Sequence, residues 1–375
     1  MTRVIGNFEL FIGREALEKL VVRMKALSYE SGLLLVDRNV SSHFRVSEIL
    51  DTLISQGFKI SFHEISLSGE PTYDDLDREF KSLPSHNLDF IISIGGGSLL
   101  DLSKGISVVM TNGGPGINYR GMHKVPKSGI PLILFPTTAG TGTEMTWTAS
   151  FIDTDSGIKM GINGDNMFPK IAVLDPTLLM GAPKNVLMSS ALDVLVHAIE
   201  AVTSKMSSPF TVSLGIVAVR RVLENLAPSL QSEPSIECLE LLQLAAAEAG
   251  LAMLNSSGGP ASGISYPLGV HYKVPHGFAG GLLLPAVIEE NISMGYQGYS
   301  VFEEKDQGGN AFLERIEELF LEITAPSNFK TWGFDSKDDL ELIVKYTLEQ
   351  RAENLNLNPI AFLEENVRTV LERFV

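Results

Sequence analysis

The chain is poor in cysteine and has no long apolar run. Its single cysteine, Cys238, cannot form an intramolecular disulfide, and we expect it to be buried in an apolar helix. Residues 1–13 interrupt their apolar stretch with charges and lack a small-residue cleavage signature, so we expect no signal peptide. No apolar run reaches about 18 residues, so we expect no transmembrane helix. These absences predict a cytoplasmic protein.

Positive charge is also scarce. Lysine and arginine number 29 against 45 aspartate and glutamate residues, which gives a formal net charge of -16. Nucleic acids and anionic membranes attract basic surfaces, so this balance argues against both as partners. It does not exclude a small anionic substrate, because a local cationic pocket can lie in an acidic protein.

Short apolar runs alternate with helical patterns in the first half of the chain. The predicted strands are 32–37, 59–65, 88–94, 131–135 and 170–175. The predicted helices between them are 14–28, 42–56, 72–83 and 98–110. Strands that alternate with helices are typical of a parallel sheet with helices on both faces. The first half therefore predicts an α/β domain.

The second half has helical periodicity almost throughout. The predicted helices are 185–204, 209–231, 235–256, 310–323, 337–352 and 360–374, with glycine-rich breaks at 257–263 and 307–309. A chain of 375 residues is long enough for two domains. We therefore predict an α/β domain at 1–183 and an all-helical domain at 184–375.

Two residues in the helical half have the spacing of a metal site. Asp193 and His197 are four residues apart, so they lie on one helix face and can direct a carboxylate and an imidazole at one point. His276 offers a second imidazole downstream. These ligand types suit zinc, iron, manganese or nickel and do not select among them. Solvated or capping residues have the same spacing, so the pair alone leaves both readings open.

A run of three glycines follows a predicted strand. Gly95, Gly96, Gly97 and Ser98 come directly after 88–94 and before the predicted helix 98–110. Glycines allow close approach of the backbone to a ligand, and the helix N-terminus attracts an anion such as a diphosphate. The alternative is a plain strand-to-helix turn. The usual GxGxxG dinucleotide fingerprint is absent.

A second polar loop, 136–144, follows the predicted strand 131–135. Its threonines and glycines offer hydroxyl and amide donors at the edge of the sheet where open α/β folds bind ligands, although a surface turn is the alternative. Asp37 ends another predicted strand. Its carboxylate is suited to bond ribose hydroxyls and would repel the extra phosphate of NADP, which favours NAD. A helix-capping role for Asp37 stays open.

Four motifs occur in order along the chain: GGGSLLDLSK, FPTTAGTGTE, DPTLL, and ALDVLVHAIE followed by PHG. Together they resemble the iron-containing (group III) alcohol dehydrogenase family, and the resemblance extends over effectively the whole chain. It implies an amino-terminal NAD(P)-binding α/β domain, a helical metal-binding domain and a dehydroquinate synthase-like architecture. The resemblance and the apolar faces of the helices also suggest a homodimer.

The resemblance implies a role for individual residues. The cofactor-binding candidates are Asp37, Gly96, Gly97, Ser98, Asp101, Thr137, Thr138, Thr141, Thr143 and Lys159. The candidate metal ligands are Asp193, His197 and His276, three of the four protein ligands in the family.

The fourth ligand position departs from the family. Relatives carry a histidine 14 residues before His276, and that position here is Ser262. Tyr266 stands where many relatives have a second histidine, and His271 occupies a position that is usually aromatic or basic. The candidate catalytic residues are therefore Asp193, His197, His276, Tyr266 and His271.

The predicted activity is metal-dependent hydride transfer between an alcohol and NAD, with NADP the less favoured cofactor and iron or zinc as the ion. Ser262, Tyr266, His271 and Lys273 suggest a polar or anionic substrate, such as the terminal hydroxyl of a sugar acid like 3-deoxy-manno-octulosonate. One alternative is a metal-independent reductase that uses Tyr266 or His271 as the acid. Another is a dinucleotide-binding protein without turnover.

Overall fold

Six parallel strands form the central sheet of the first half of the chain. The computed structural model describes residues 4–6, 8–84, 87–303 and 308–375. The strands of the sheet are β1 (Glu9–Ile12), β2 (Ser31–Asp37), β3 (Lys59–Ile65), β4 (Phe90–Gly95), β5 (Leu132–Pro136) and β6 (Ile171–Leu174). Their order is β1-β6-β5-β4-β2-β3, and every neighbouring pair is parallel. The predicted parallel sheet is therefore confirmed.

Strand β1 is the one strand of this sheet that the predicted strand set omits. It lies at an edge, paired only with β6 among the described strands, and none of its four residues is fully buried. Phe11 packs on the core at one face of the sheet, but the apolar run at 10–12 has only three residues, fewer than the roughly four to eight that indicate a buried strand.

Helices pack on both faces of this sheet. They are α1 (Ala16–Ala26), α2 (Phe44–Ser55), α3 (Tyr73–Ser82) and α4 (Gly97–Asn112). Alternate residues of β2 enter different cores: Leu33 and Leu35 join the core that contains α3 and α4, while Leu34 and Val36 join the core that contains α1 and α2. This two-residue alternation is the physical reason that the strand is apolar at every position from 33 to 36.

The chain divides into two compact units. One holds most of residues 6–181, and the other holds 182–375 with 139–141 and the described residues at 4–5. The helices of the second unit are α5 (Lys184–Thr203), α6 (Pro209–Ser229), α7 (Ile236–Leu254), α8 (Pro260–Tyr272), α9 (His276–Gly281), α10 (Leu284–Ser293), α11 (Asn310–Glu322), α12 (Lys337–Asn356) and α13 (Glu364–Glu372).

Two sequence expectations about this unit are wrong. The glycine-rich break predicted at 257–263 ends early, because Pro260 starts α8; proline suits the first helical position, where no backbone N–H is needed. Cys238 is half-buried instead of buried, since it lies in the first turn of α7.

Helix α5 is the central helix of the second unit. By length and composition alone it could cross a membrane, but most of its apolar stretch is buried inside the protein. A helix that is apolar on nearly all sides is expected at the centre of a helical core. The same helix carries two of the predicted metal ligands.

Candidate metal centre and nucleotide-binding turn

Helix α5 presents Asp193 and His197 from adjacent turns. Their residues are only 4% and 9% exposed, although a carboxylate and an imidazole are costly to bury without a partner. The third predicted ligand, His276, is the first residue of α9 and is half-buried. The structure therefore brings the three predicted ligands together within one unit.

Glycines allow α9 to lie directly against α5. A Cβ atom at Gly277 would lie 1.8 Å from the carbonyl oxygen of Ser189, and one at Gly281 would lie 2.7 Å from a leucine of α5. No side chain fits at either position, so the two backbones approach closely. This packing brings His276 beside Asp193. It also explains why glycine follows the histidine in the PHG motif.

The three side chains have the spacing of ligands around one ion. The Oδ1 atom of Asp193 lies 3.6 Å from Nε2 of His197 and 3.7 Å from Nε2 of His276. Both distances are too long for hydrogen bonds. Ligand atoms about 2.1 Å from a tetrahedral ion lie about 3.4 Å apart, close to these values. The donor set therefore fits a divalent metal.

The His197 ring faces Asp193 with its Nε2 atom, and its second nitrogen is buried. Its buried Nδ1 atom has no hydrogen-bond partner among the residues that the structure describes. Buried polar atoms in native proteins are nearly always hydrogen-bonded. Metal-bound histidines usually bond through their second nitrogen as well, so the metal site is supported by the spacing of the Nε2 and Oδ1 atoms and not by this Nδ1 atom.

Ser262, at the position of the missing fourth ligand, bonds to a carboxylate instead. Its hydroxyl donates to Glu200 at 2.5 Å, and the Glu200 carboxylate also accepts from the backbone N–H of Gly259 at 2.7 Å. Burial raises the pKa of Glu200, opposed by these hydrogen bonds. The pair ties α5 to the start of α8. Sequence reasoning missed Glu200, although its spacing places it on the same helix face as Asp193 and His197.

Tyr266 lies against the metal-ligand cluster. Its ring meets the His276 ring edge-on, with 5.6 Å between ring centres. The guanidinium carbon of Arg351, on α12, lies 3.8 Å from the centre of the Tyr266 ring. Arg351 was not predicted, because nothing in the sequence near it forms a motif. The structure thus adds a cation next to the candidate site.

His271 is placed differently from Tyr266. It lies exposed in the last turn of α8, where its ring stacks on Tyr346 with 4.3 Å between centres. Partial burial and the nearby charge of Lys273 lower the pKa of His271. Lys273 itself is exposed, in a left-handed conformation that ends the helix. Neither residue belongs to the described three-ligand cluster.

In the α/β unit, the glycine turn lies where three strand ends meet. A Cβ at Gly95 would lie 3.1 Å from the Cβ of Asp37, and one at Gly96 would lie 3.4 Å from the side chain of Thr138. Gly96 caps α4, and the backbone N–H of Thr137 donates to the carbonyl of Gly95 at 2.9 Å. Asp37, the glycine turn and the threonine loop therefore converge at the carboxyl edge of the sheet, beside the N-terminus of α4.

Two predicted cofactor residues belong to a buried network behind this turn. The Asp101 carboxylate accepts from the Thr143 hydroxyl at 2.5 Å and from the Ser150 backbone at 2.8 Å. Lys104 donates to both oxygens of Thr143 at 2.6 Å and to the Thr148 carbonyl at 2.6 Å. Burial lowers the pKa of Lys104 to about 8. This network fixes the loop after β5 against α4.

The other predicted cofactor residues are dispersed. Lys159 is buried and forms an ion pair with Glu70 at 2.5 Å. Gly97 and Ser98 are half-buried in the first turn of α4. Thr141 lies in the segment 139–141 that groups with the helical unit. The loop that sequence analysis treated as one element is therefore divided between the two units.

Comparison with known proteins gives consistent results across the chain. A family model described as iron-containing alcohol dehydrogenase matches residues 8–176, and one described as the C-terminal part of the Fe-containing alcohol dehydrogenase family matches 187–375. Alcohol dehydrogenase 4 of Saccharomyces cerevisiae (strain YJM789) is 27% identical over 369 residues, which cover 97% of this chain and 96% of the relative. Sulfoacetaldehyde reductase of Bilophila wadsworthia is 32% identical over 315 residues, 81% of each chain.

Solved structures share the fold. An iron-containing alcohol dehydrogenase from Thermococcus thioreducens superposes with a TM-score of 0.88 at 24% identity, covering 99% of both chains. This likeness confirms the predicted architecture, a parallel-sheet domain followed by a helical region in the dehydroquinate synthase-like arrangement. With its two halves matched by the two family models, the chain belongs to the iron-containing alcohol dehydrogenase family and is an oxidoreductase of the alcohol dehydrogenase type.

Proposed function

We propose that this protein moves a hydride between a polar or anionic alcohol, or its aldehyde or ketone, and NAD, with one divalent metal ion. The observation that carries the proposal is the convergence of Asp193, His197 and His276, whose ligand atoms lie within 4.8 Å of one another. In an alcohol dehydrogenase, such a cluster could hold a metal ion that acts on the substrate oxygen.

The three side chains would hold iron or zinc. When bound, the ion supplies Lewis acidity, which makes an alcohol hydroxyl more acidic and a carbonyl carbon more electrophilic. Asp193 would offset part of the ionic charge, while the neutral imidazoles of His197 and His276 would leave most of it effective. Because Ser262 donates to Glu200, we expect three protein ligands and room for substrate.

The glycine turn would hold the diphosphate of the cofactor. The backbone N–H groups at the start of α4 offer donors and the positive end of a helix dipole. Asp37 would accept bonds from ribose hydroxyls and disfavour NADP. The nearby Arg38, a cation that could otherwise attract a second phosphate, is paired with Glu64 at 2.7 Å. These features support NAD.

Several features favour a polar or anionic substrate. Tyr266 and Arg351 adjoin the ligand cluster. One relative is named a sulfoacetaldehyde reductase, and sulfoacetaldehyde carries a sulfonate. A sugar acid such as 3-deoxy-manno-octulosonate belongs to the same class of anionic hydroxyl compounds. We also propose a cytoplasmic homodimer, which light scattering on the purified protein would test.

The deciding experiment is the metal content per chain, measured by plasma mass spectrometry on protein purified without chelator or a nickel column. We expect about one equivalent of iron or zinc per chain. We also expect NAD-linked oxidation of alcohols, which a chelator should abolish and the same metal should restore. Turnover with no metal would instead favour a metal-independent reductase that uses Tyr266 or His271. Metal-free protein that binds NAD without turnover would favour a non-catalytic role.

A further inference from the structure

A cation lies one aromatic ring away from the candidate metal centre. The guanidinium of Arg351 stacks on the ring of Tyr266, and Tyr266 in turn contacts His276. Arg351 is half-buried, so solvent screens its charge less than that of an exposed arginine. Its placement therefore differs from that of Lys273, which is exposed and lies outside the three-ligand cluster.

The backbone of α12 changes locally at this position. Arg351 has φ -133° and ψ 18°, outside helical values, within a helix that otherwise continues from 337 to 356. On the facing helix α8, a Cβ at Gly263 would lie 2.9 Å from the Cβ of Asn354. Helix α12 therefore packs closely on α8 at this turn, and Arg351 adopts its own conformation beside Tyr266.

Stacking and anion binding use different parts of a guanidinium. The flat face stacks on an aromatic ring, while the five N–H donors lie in the plane and point outward. A planar fork of this kind matches the two oxygens of a carboxylate and also bonds sulfonates. Stacking on Tyr266 thus fixes the orientation of Arg351 through the face that anion binding does not need.

The overall negative charge favours a local cation at a site for an anionic substrate. With a formal net charge of -16, the protein repels anions at long range. Resting on the proposed function, we infer that Arg351 binds the anionic group of the substrate, a carboxylate or sulfonate a few bonds from the reacting carbinol carbon. Arg351 is then a specificity-determining residue, and the substrate is a hydroxy acid or hydroxysulfonate.

The test compares pairs of alcohols that have nearly the same shape, of which one is an anion and the other is neutral. One pair is 4-hydroxybutyrate and 4-hydroxybutanamide; the other is 2-hydroxyethanesulfonate and the neutral 2-(methylsulfonyl)ethanol. Binding to metal-loaded protein is measured by calorimetry with NADH present, and oxidation is followed separately with NAD. We expect the wild-type protein to bind the anion of at least one pair about tenfold or more tightly than its neutral twin. The pair in which the anion binds more tightly identifies the anionic group of the substrate as a carboxylate or as a sulfonate.

Substitutions at Arg351 assign the preference. In Arg351→Gln we expect the affinity for the anion to fall about ten- to a hundredfold and its KM to rise, with the neutral twin changed by less than about twofold. Arg351→Lys keeps the charge without the planar fork, so it should retain part of the preference. Lys345→Gln removes an exposed positive charge from the same helix and should leave the affinity for both compounds unchanged.

Two outcomes would overturn the assignment. One is that neither anion binds more tightly than its neutral twin to the wild-type protein. The other is that Arg351→Gln lowers turnover of both members of a pair equally, which would mean that Arg351 only supports Tyr266. Metal content and thermal melting of each variant separate these results from misfolding. Wild-type protein that holds no metal and oxidises no alcohol contradicts the proposed function itself.

Discussion

The metal centre and the nucleotide-binding turn are built in different ways. In the helical unit, side chains from α5 and α9 converge on one point, and glycine contacts between the helices set their positions. In the α/β unit, a backbone turn lies beside Asp37 and Thr138, while polar side chains behind it bond mainly to one another. One site depends on the atoms of a few side chains, and the other on the shape of a loop.

This difference determines what a substitution should do. Removing a ligand side chain leaves the helices in place and removes binding directly. Removing a member of the Asp101–Lys104–Thr143 network leaves buried polar groups without partners and loosens the loop. Removing a metal ligand should therefore abolish function without much loss of stability. Removing a member of the network behind the turn should reduce both function and stability.

The largest expected effect is that of His276→Ala. We expect loss of bound metal and a fall in turnover on the order of a thousandfold, because the Lewis acid contributes several kcal/mol to catalysis. NAD binding, followed by fluorescence, should be unchanged. The matched control is His271→Ala, which alters an exposed histidine five residues earlier and should keep the metal. Metal retained in the first variant, or lost in the second, would contradict the assigned ligand set.

A buried acid in the loop after β5 should make the stability of the α/β unit depend on pH. Burial raises the pKa of Glu144 to about 7, so its carboxyl holds a proton more tightly in the folded protein than in the unfolded chain. Its unfavourable contribution is absent below the unfolded pKa of 4.5, grows between that value and 7, and stays at about 3 kcal/mol above pH 7. We expect Glu144→Gln to be more stable than wild type above pH 7 and similar at low pH, by urea unfolding.

The half-buried Glu64 supplies a control of opposite sign. A hydrogen bond from Ser41 and the contact with Arg38 lower the pKa of Glu64, so its stabilisation is present near neutral pH and is lost in acid. Glu64→Gln should therefore be no more stable than wild type at pH 8. If both variants shift stability in the same direction, the burial of Glu144 is not the cause.

The sequence predicted the fold well because its signals are local. The apolar runs at 32–37 and 59–65 correspond to β2 at Ser31–Asp37 and β3 at Lys59–Ile65. Strand β1 was missed because its apolar run at 10–12 is only three residues long. The start of α8 was missed because glycine and proline were interpreted as a break, although proline is favoured at the first helical position.

The site was only partly predictable from sequence. Asp193 and His197 follow from helical spacing, and the same rule would have found Glu200. The position of Arg351 depends on how α12 packs on α8, which connects residues far apart in the chain. The hydrogen bond between Asp101 and Thr143 likewise joins residues that are far apart in the chain. No local pattern reports whether a polar side chain is directed at a ligand or at a neighbour.

Ser262 tests how far the metal centre depends on individual side chains. In Ser262→Ala, Glu200 loses its hydroxyl donor at 2.5 Å, and we expect a loss of about 1–3 kcal/mol in stability with the metal stoichiometry unchanged. Ser262→His restores the ligand type found in relatives and should tighten metal binding by about tenfold or more. Competition with a chelator measures both variants. Weaker metal binding in the histidine variant would mean that the Ser262–Glu200 pair supports the site.

The smallest expected effect concerns the choice of cofactor at the turn. In Asp37→Ser, the carboxylate beside Gly95 is removed, and we expect the ratio of kcat/KM for NAD to that for NADP to fall about tenfold, or about 1.4 kcal/mol. Turnover at saturating NAD should remain, because the backbone N–H groups of the turn are untouched. Arg38→Gln, which breaks the contact with Glu64 and removes a cation, should not improve the use of NADP. An unchanged ratio in Asp37→Ser would mean that the shape of the turn alone selects the cofactor, which would make the contrast with the metal centre sharper still.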